Sequence, residues 1–66
     1  MNIGDNIKYL RLEKGLSQAQ LAKNINVSQK AIDFWERGIN EPKASYIVAL
    51  SDFFDVSADF ILGRED

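Results

Sequence analysis

The sequence predicts an all-α fold, a compact bundle of five short helices, and three observations predict it. Apolar residues recur every three or four positions through most of the chain, which is the spacing of one helix face. No stretch of useful length alternates apolar and polar residues as a half-buried strand does. Residues that begin and end helices recur at short intervals, so the predicted connections are only about two to six residues long.

The first helix is predicted from Ile3 to Lys14. Ile3, Ile7 and Leu10 fall at helical spacing and form its apolar face. Gly15 follows the basic Lys14 and is a natural left-handed stop for the helix. The helix therefore presents one stripe to a shared core.

Two further helices are predicted within LSQAQLAKNINVSQKAIDFWERG, where each begins with the same Ser-Gln pair. Ser17 is the predicted N-cap of the second helix, at about residues 18–25, and Asn26 ends it in a left-handed turn. Ser28 is the predicted N-cap of the third helix, at about residues 29–37, and a glycine follows it. Only a few residues separate the two helices.

A fourth helix is predicted from about Lys43 to Phe54, after the loop INEP. Ser57 caps a last short helix, which Gly63 ends. Helices this short need a common core, because they are not stable alone. The predicted core is Ile7, Leu10, Leu16, Leu21, Ile25, Val27, Ile32, Trp35, Tyr46, Leu50, Phe54, Val56, Phe60 and Ile61.

The composition excludes several classes of protein. Sixty-six residues form one domain, 1–66, and the chain has no cysteine and no histidine. The commonest general base and the commonest zinc ligands are therefore missing, and we expect no enzyme, no metal site, no cofactor and no small-molecule ligand. The apolar runs are too short to span a bilayer, which predicts a soluble, cytoplasmic protein without a membrane partner.

The charge is unevenly distributed. The net charge is −2, but residues 1–43 hold seven basic and five acidic side chains, and residues 44–66 hold one basic and five acidic. A basic front and an acidic rear suit a DNA-facing half and a half that faces solvent or a partner. Chance scatter of surface charge explains the same numbers equally well.

The short connector between the second and third helices forces a large angle, so the third helix protrudes with its amino end forward. Such a helix fits the DNA major groove, about 12 Å wide. Gln29 at its tip can bond a base edge, favouring adenine, and Lys30 can reach guanine or a phosphate. The outward residues are Gln29, Lys30, Asp33, Phe34 and Arg37.

The amino end of the second helix is a second candidate contact. Its free N–H groups and partial positive charge suit a phosphate, and Gln18 could reinforce the contact. Ser17 and Ser28 are helix caps first. Gln18 and Gln29 could simply be solvated surface residues, but their occurrence in two Ser-Gln pairs favours a functional role for both.

Two outward residues stay ambiguous. Phe34 could touch a thymine methyl, contact a protein partner or pack passively. Asp33 cannot bind phosphate; it could orient Gln29 or Lys30, accept from a cytosine amino group, or simply be exposed.

The order of these motifs resembles one known family. IKYLRLEKGLSQ, the Val-Ser turn, the pattern I-x-x-W-E-x-G, the proline after it and VSADFILG together resemble the phage repressor and Cro family, also called Xre. The resemblance runs from about Ile3 to Gly63. It implies a lambda-repressor-like helix-turn-helix domain that binds a palindromic DNA operator as a homodimer and regulates transcription, as a repressor.

The resemblance also implies roles for individual residues. Gln18 would contact a phosphate, the base-reading positions would be Gln29, Lys30 and Phe34, and others would lie near the DNA backbone. Arg11 and Glu36 match a structural ion pair, and a buried glutamate indeed needs such an arginine fork. The predicted DNA-binding set is Ser17, Gln18, Ser28, Gln29, Lys30, Asp33, Phe34, Arg37 and Lys43.

An alternative function is a protein-interaction module of the same fold, of antitoxin or anti-regulator type, with little DNA binding. The acidic composition, Phe34 and Ile39 in the loop favour it. Phe53, Phe60 and Leu62 cannot all face one core within two helical turns, so the spare one is predicted to contribute to a symmetric dimer contact.

Overall fold

The protein is described here from a computed structural model, which covers residues 2–64. The first residue and the last two of the predicted domain lie outside this range. Within it the chain forms five helices and no strand, which confirms the all-α fold. The helices are α1 Ile3–Glu13, α2 Gln18–Ile25, α3 Gln29–Glu36, α4 Ala44–Phe54 and α5 Ala58–Leu62. None of these helices is long and apolar enough to cross a membrane.

The predicted ends differ from the observed ones by single residues. Lys14 and Arg37 are C-cap residues, and Lys43 is the N-cap of α4, so each stands just outside its helix. Cap residues are half in the helix, and sequence spacing alone does not separate them from the first or last helical residue.

Side-chain caps fix where four of the helices begin. Ser17 and Gln20 form a reciprocal capping box at α2, with each side chain bonded to the other residue's main-chain N–H. Ser28 and Ser57 accept from the third N–H of α3 and α5. Asn2, which the sequence analysis did not single out, caps α1 by accepting from Asp5 at 2.8 Å. Each cap satisfies an N–H that has no intrahelical partner.

The turn between α2 and α3 depends on a left-handed residue, as predicted. Asn26 has φ 61° and ψ 49°, and the next N–H, of Val27, donates to the Ala22 carbonyl at 2.9 Å. Asparagine tolerates this conformation better than most residues. The chain therefore changes direction within the three residues that separate α2 from α3. Asp55 adopts the same conformation after α4, which was not predicted.

The core lies where the inner stripes of all five helices meet. Five of the predicted core residues, Leu16, Val27, Tyr46, Val56 and Phe60, are only partly buried. They lie in connectors or at helix edges, and a chain this small has too little interior to cover them. The buried core is Ile7, Leu10, Leu21, Ala22, Ile25, Ile32, Trp35, Ile47, Leu50, Phe54 and Ile61.

Two buried residues in α1 fix it against its neighbours. Gly4 lies so close to α3 that an added Cβ would overlap the Trp35 carbonyl oxygen and come within 2.9 Å of that of Glu36. Asn6 donates from Nδ2 to the Phe60 and Ile61 carbonyls, at 3.0 and 3.1 Å. Both carbonyls lie in the last turn of α5, and that of Phe60 also accepts from the Gly63 N–H at 3.1 Å. Asn6 thus attaches α5 to α1.

Candidate nucleic-acid interface

Helix α3 is half in the core and half at the surface. Ile32 and Trp35 are buried on its inner face. Gln29 and Lys30, in its first turn, are exposed. The buried pair fixes the rotation of the helix about its axis. The outward position predicted for Gln29 and Lys30 is therefore the observed one.

Both serines of the Ser-Gln pairs are exposed and act as helix caps, as predicted. Ser17 Oγ accepts from the Gln20 N–H and Ser28 Oγ from the Ala31 N–H, each at 3.1 Å. A serine hydroxyl that accepts still has its own hydrogen to donate. Each serine therefore presents one donor at the amino end of its helix, where an anion is also favoured.

Asp33 has partners other than those proposed from the sequence. Its carboxylate accepts from Gln18 Nε2 at 3.4 Å and from Arg37 Nη1 at 3.1 Å. Its partners are therefore Gln18 and Arg37, rather than the Gln29 or Lys30 that the sequence suggested, and its side chain stays 35% exposed. Arg37, the C-cap residue of α3, lies four residues after Asp33 and therefore on the same side of the helix.

A nearly buried ion pair joins α1 to α3. Arg11 Nε donates to Glu36 Oε2 at 2.7 Å and Nη2 to Oε1 at 3.0 Å, while Nη1 donates to the Leu16 carbonyl at 2.8 Å. The two side chains are only 10% and 4% exposed, and the predicted structural pair is confirmed. The hydrogen bond to Glu36 raises the pKa of Arg11 above its ordinary value, so the guanidinium stays charged.

Gln18 connects this ion pair to the outer face of α3. Its Nε2 donates to Glu36 Oε1 at 3.2 Å as well as to Asp33. A chain of contacts thus runs from Arg11 in α1, through Glu36 and Gln18, to Asp33 and Arg37. Of these links only the Arg11–Glu36 pair was predicted from the sequence. The sequence signal that could have indicated the others is the amide Gln18 at the start of α2, which faces the two carboxylates Asp33 and Glu36 of α3.

Phe34 is half-buried and lies beneath Lys30, whose Nζ is 5.4 Å from the centre of the ring. This distance is within the range of a cation–π contact. Phe34 is not in the buried core. A ring that faces outward beside a cation is accessible to a base or to a partner.

The loop after α3 and the start of α4 complete this surface. Lys43 is exposed at the N-cap of α4 and makes no side-chain cap bond. Ile39, in the loop, is 53% exposed, and Glu41 is also exposed. Lys43 is thus the basic group that this part of the surface presents.

The sequence is similar to those of known helix-turn-helix proteins. Residues 7–61 match the model of a family described as helix-turn-helix. The chain is 36% identical over its 66 residues to the HTH-type transcriptional activator BcrR of Enterococcus faecalis, covering 32% of that protein. It is 37% identical to the HTH-type transcriptional regulator DicA of Escherichia coli K12, covering 50%. The chain spans half or less of the length of these two relatives.

A solved structure is similar over nearly the whole of both chains. It is the crystal structure of the P22 c2 repressor protein in complex with a synthetic operator. The superposition has a TM-score of 0.91 at 34% sequence identity, and it covers 98% of each chain.

Proposed function

The chain belongs to the helix-turn-helix family of phage repressors, the Xre type, and from this we propose that residues 1–66 are a DNA-binding domain that regulates transcription. The observation that carries the proposal is the outward amino end of α3, held in place by its buried face and by the Arg11–Glu36 pair. A helix so placed enters a major groove with its first residues foremost.

We assign base reading to Gln29, Lys30 and Phe34. The Gln29 amide can donate to and accept from one adenine edge, and Lys30 can donate to guanine. Phe34 offers an apolar edge to a thymine methyl. The contact of Lys30 with the Phe34 ring supports a joint role, because one side chain positions the other before DNA is bound.

Phosphate contacts are assigned to groups around this face. The hydroxyls of Ser17 and Ser28, the amino end of α2 at Gln18, and the cations Arg37 and Lys43 all supply donors. These few contacts predict weak binding by one copy, strongly dependent on salt. Two copies on one palindromic operator would bind more tightly, because the second contact becomes intramolecular.

The direction of regulation we propose is repression. A domain of this size that occupies an operator excludes other proteins by its volume alone, whereas activation requires an additional contact. The similar protein solved on an operator is a repressor. Since its target is genomic duplex, we place the protein in the cytoplasm, and we assign it no enzymatic step.

The proposal is tested by selecting bound sequences from a random duplex pool at near-physiological salt. We expect enrichment of a palindrome whose half-sites are about one helical turn apart. Absence of enrichment, with helical circular dichroism intact, would contradict DNA reading and favour the protein-interaction alternative.

Gln29→Ala is expected to relax specificity at one base position in each half-site. Loss of a bidentate contact costs about 1–3 kcal/mol per site. Titration of the selected duplex and of single-base variants would measure it. Asn24→Ala removes an exposed amide on α2 outside the predicted contacts and serves as the control. Unchanged discrimination by Gln29→Ala would exclude base reading by this residue.

We propose Leu62 as the spare apolar residue of a symmetric homodimer contact. Phe53 packs against Phe54 with ring centroids 5.1 Å apart, and Phe60 packs against Tyr9 at 6.5 Å. Leu62 stays 39% exposed at the end of α5.

Leu62→Glu is expected to keep the protein monomeric at concentrations where the parent dimerises, because a charge is costly to bury at an apolar contact. Sedimentation equilibrium measures this. Val48→Glu, at a site 56% exposed on α4, is the matched control. A parent that stays monomeric up to high micromolar concentration would rule out this contact.

A further inference from the structure

We propose that Asp33 is a positioning residue that keeps the Gln18 amide group from the DNA phosphates and weakens the phosphate contact of Arg37. Its effect is to lower sequence-independent affinity, so that binding depends more on base contacts. This inference rests on the proposed DNA-binding function and assigns a role to a residue that itself cannot bind phosphate.

The orientation of the Gln18 amide follows from its neighbours. Nε2 lies 3.4 Å from Asp33 Oδ1 and 3.2 Å from Glu36 Oε1. Ionised carboxylates only accept hydrogen bonds, so the NH2 group must face them and the amide oxygen cannot. Glu36 is itself held by two hydrogen bonds from Arg11, so one of the two acceptors is fixed by the fold.

Phosphate oxygens are acceptors as well, and the two amide hydrogens of Gln18 already have acceptors. The side chain therefore has no donor left for a phosphate at the start of α2. The main chain differs: Ser17 and Gln20 bond each other's N–H, which leaves those of Gln18 and Ala19 for an anion. The phosphate contact at this position is thus assigned to the main chain.

The same carboxylate restrains a cation. Arg37 Nη1 is 3.1 Å from Asp33 Oδ2, and the two side chains are 62% and 35% exposed. An exposed pair of this kind is easily exchanged, so a phosphate can still capture Arg37. The negative charge of Asp33 nevertheless stays beside any phosphate that does so, and it weakens every such contact whatever the base sequence.

The first test uses the free protein. In Asp33→Ala, the side-chain NH2 resonances of Gln18 are expected to shift and their hydrogens to exchange faster with water. Asp52→Ala, an exposed aspartate on α4, is the matched control and should leave them unchanged. Unchanged Gln18 resonances in Asp33→Ala would overturn the positioning role.

The second test combines Gln18→Ala and Asp33→Ala in a double-mutant cycle on a duplex of arbitrary sequence. Asp33→Ala should raise affinity about fivefold and steepen the salt dependence by about one unit, because the net positive charge beside the phosphates rises by one. Gln18→Ala should change little in the parent but cost about threefold once Asp33 is absent, because the freed amide then donates to a phosphate.

The outcomes separate this inference from the function on which it rests. Equal effects of Gln18→Ala in both backgrounds, or weaker binding by Asp33→Ala, would overturn the inference and leave DNA binding in place. Failure of every folded variant to bind any duplex would overturn both.

Discussion

Gly4→Ala is expected to remove most of the stability of the fold, about 3 kcal/mol or more. The added methyl would overlap the Trp35 carbonyl oxygen and press on that of Glu36. These are main-chain atoms, so they cannot turn aside as a side chain does, and α1 would have to move away from α3. A domain of this size has only about 5 kcal/mol of folding free energy. Urea unfolding followed by circular dichroism measures the loss.

Gly15→Ala is the matched control, because it makes the same chemical change without the overlap. Gly15 has φ +70°, and nothing lies within 4 Å of an added Cβ. Its cost is therefore the strain of a left-handed alanine alone, about 1 kcal/mol. A midpoint for Gly4→Ala no lower than that of Gly15→Ala would show that the close approach of α1 and α3 is not tight in solution.

The helices were predictable from the sequence because the signals that determine them are local. Three-to-four spacing, serine caps and glycine or asparagine stops act within a few residues. The predicted N-cap at Ser17, the left-handed Asn26 and the predicted positions of α2 and α3 therefore agree with the structure.

Contacts between helices were harder to predict, because they depend on which residues the fold brings together. Gly4 has no local turn to explain it; its reason is the main chain of α3. Asn6 is a polar residue on an inner face, and its partners are 54 and 55 residues away. For Asp33 the sequence suggested partners only on its own helix, whereas one of its two observed partners, Gln18, lies across the turn on α2.

The predicted DNA-facing residues could be predicted only in part. Their exposure followed from the period of α3, since Ile32 and Trp35 had to face the core. The contacts that hold their side chains in place could not be predicted from this period. Lys30 is paired with the Phe34 ring and Arg37 with Asp33, so both cations of this face already have partners within the chain.

Arg11→Met is expected to destabilise the protein by about 3–5 kcal/mol, because it leaves the Glu36 carboxylate nearly buried without its counter-ion. Two further contacts are affected. The Leu16 carbonyl loses the Arg11 donor at 2.8 Å, and Glu36, which accepts from the Gln18 amide, is no longer held in place by Arg11. Thermal unfolding and urea titration would both report the change. Arg37→Met breaks the exposed pair and should cost about 0.5 kcal/mol or less, which makes it the control.

The double variant Arg11→Met with Glu36→Leu tests the cause of this loss. If the penalty is an uncompensated charge, replacing both partners by apolar residues should recover most of the stability. Recovery has a consequence for the proposed function, because Glu36 is also an acceptor for Gln18 and so connects the buried pair to the predicted DNA-binding surface. The double variant should therefore fold well yet hold Gln18 by Asp33 alone. A double variant as unstable as Arg11→Met would instead show that the lost hydrogen bonds, rather than the unpaired charge, determine the cost.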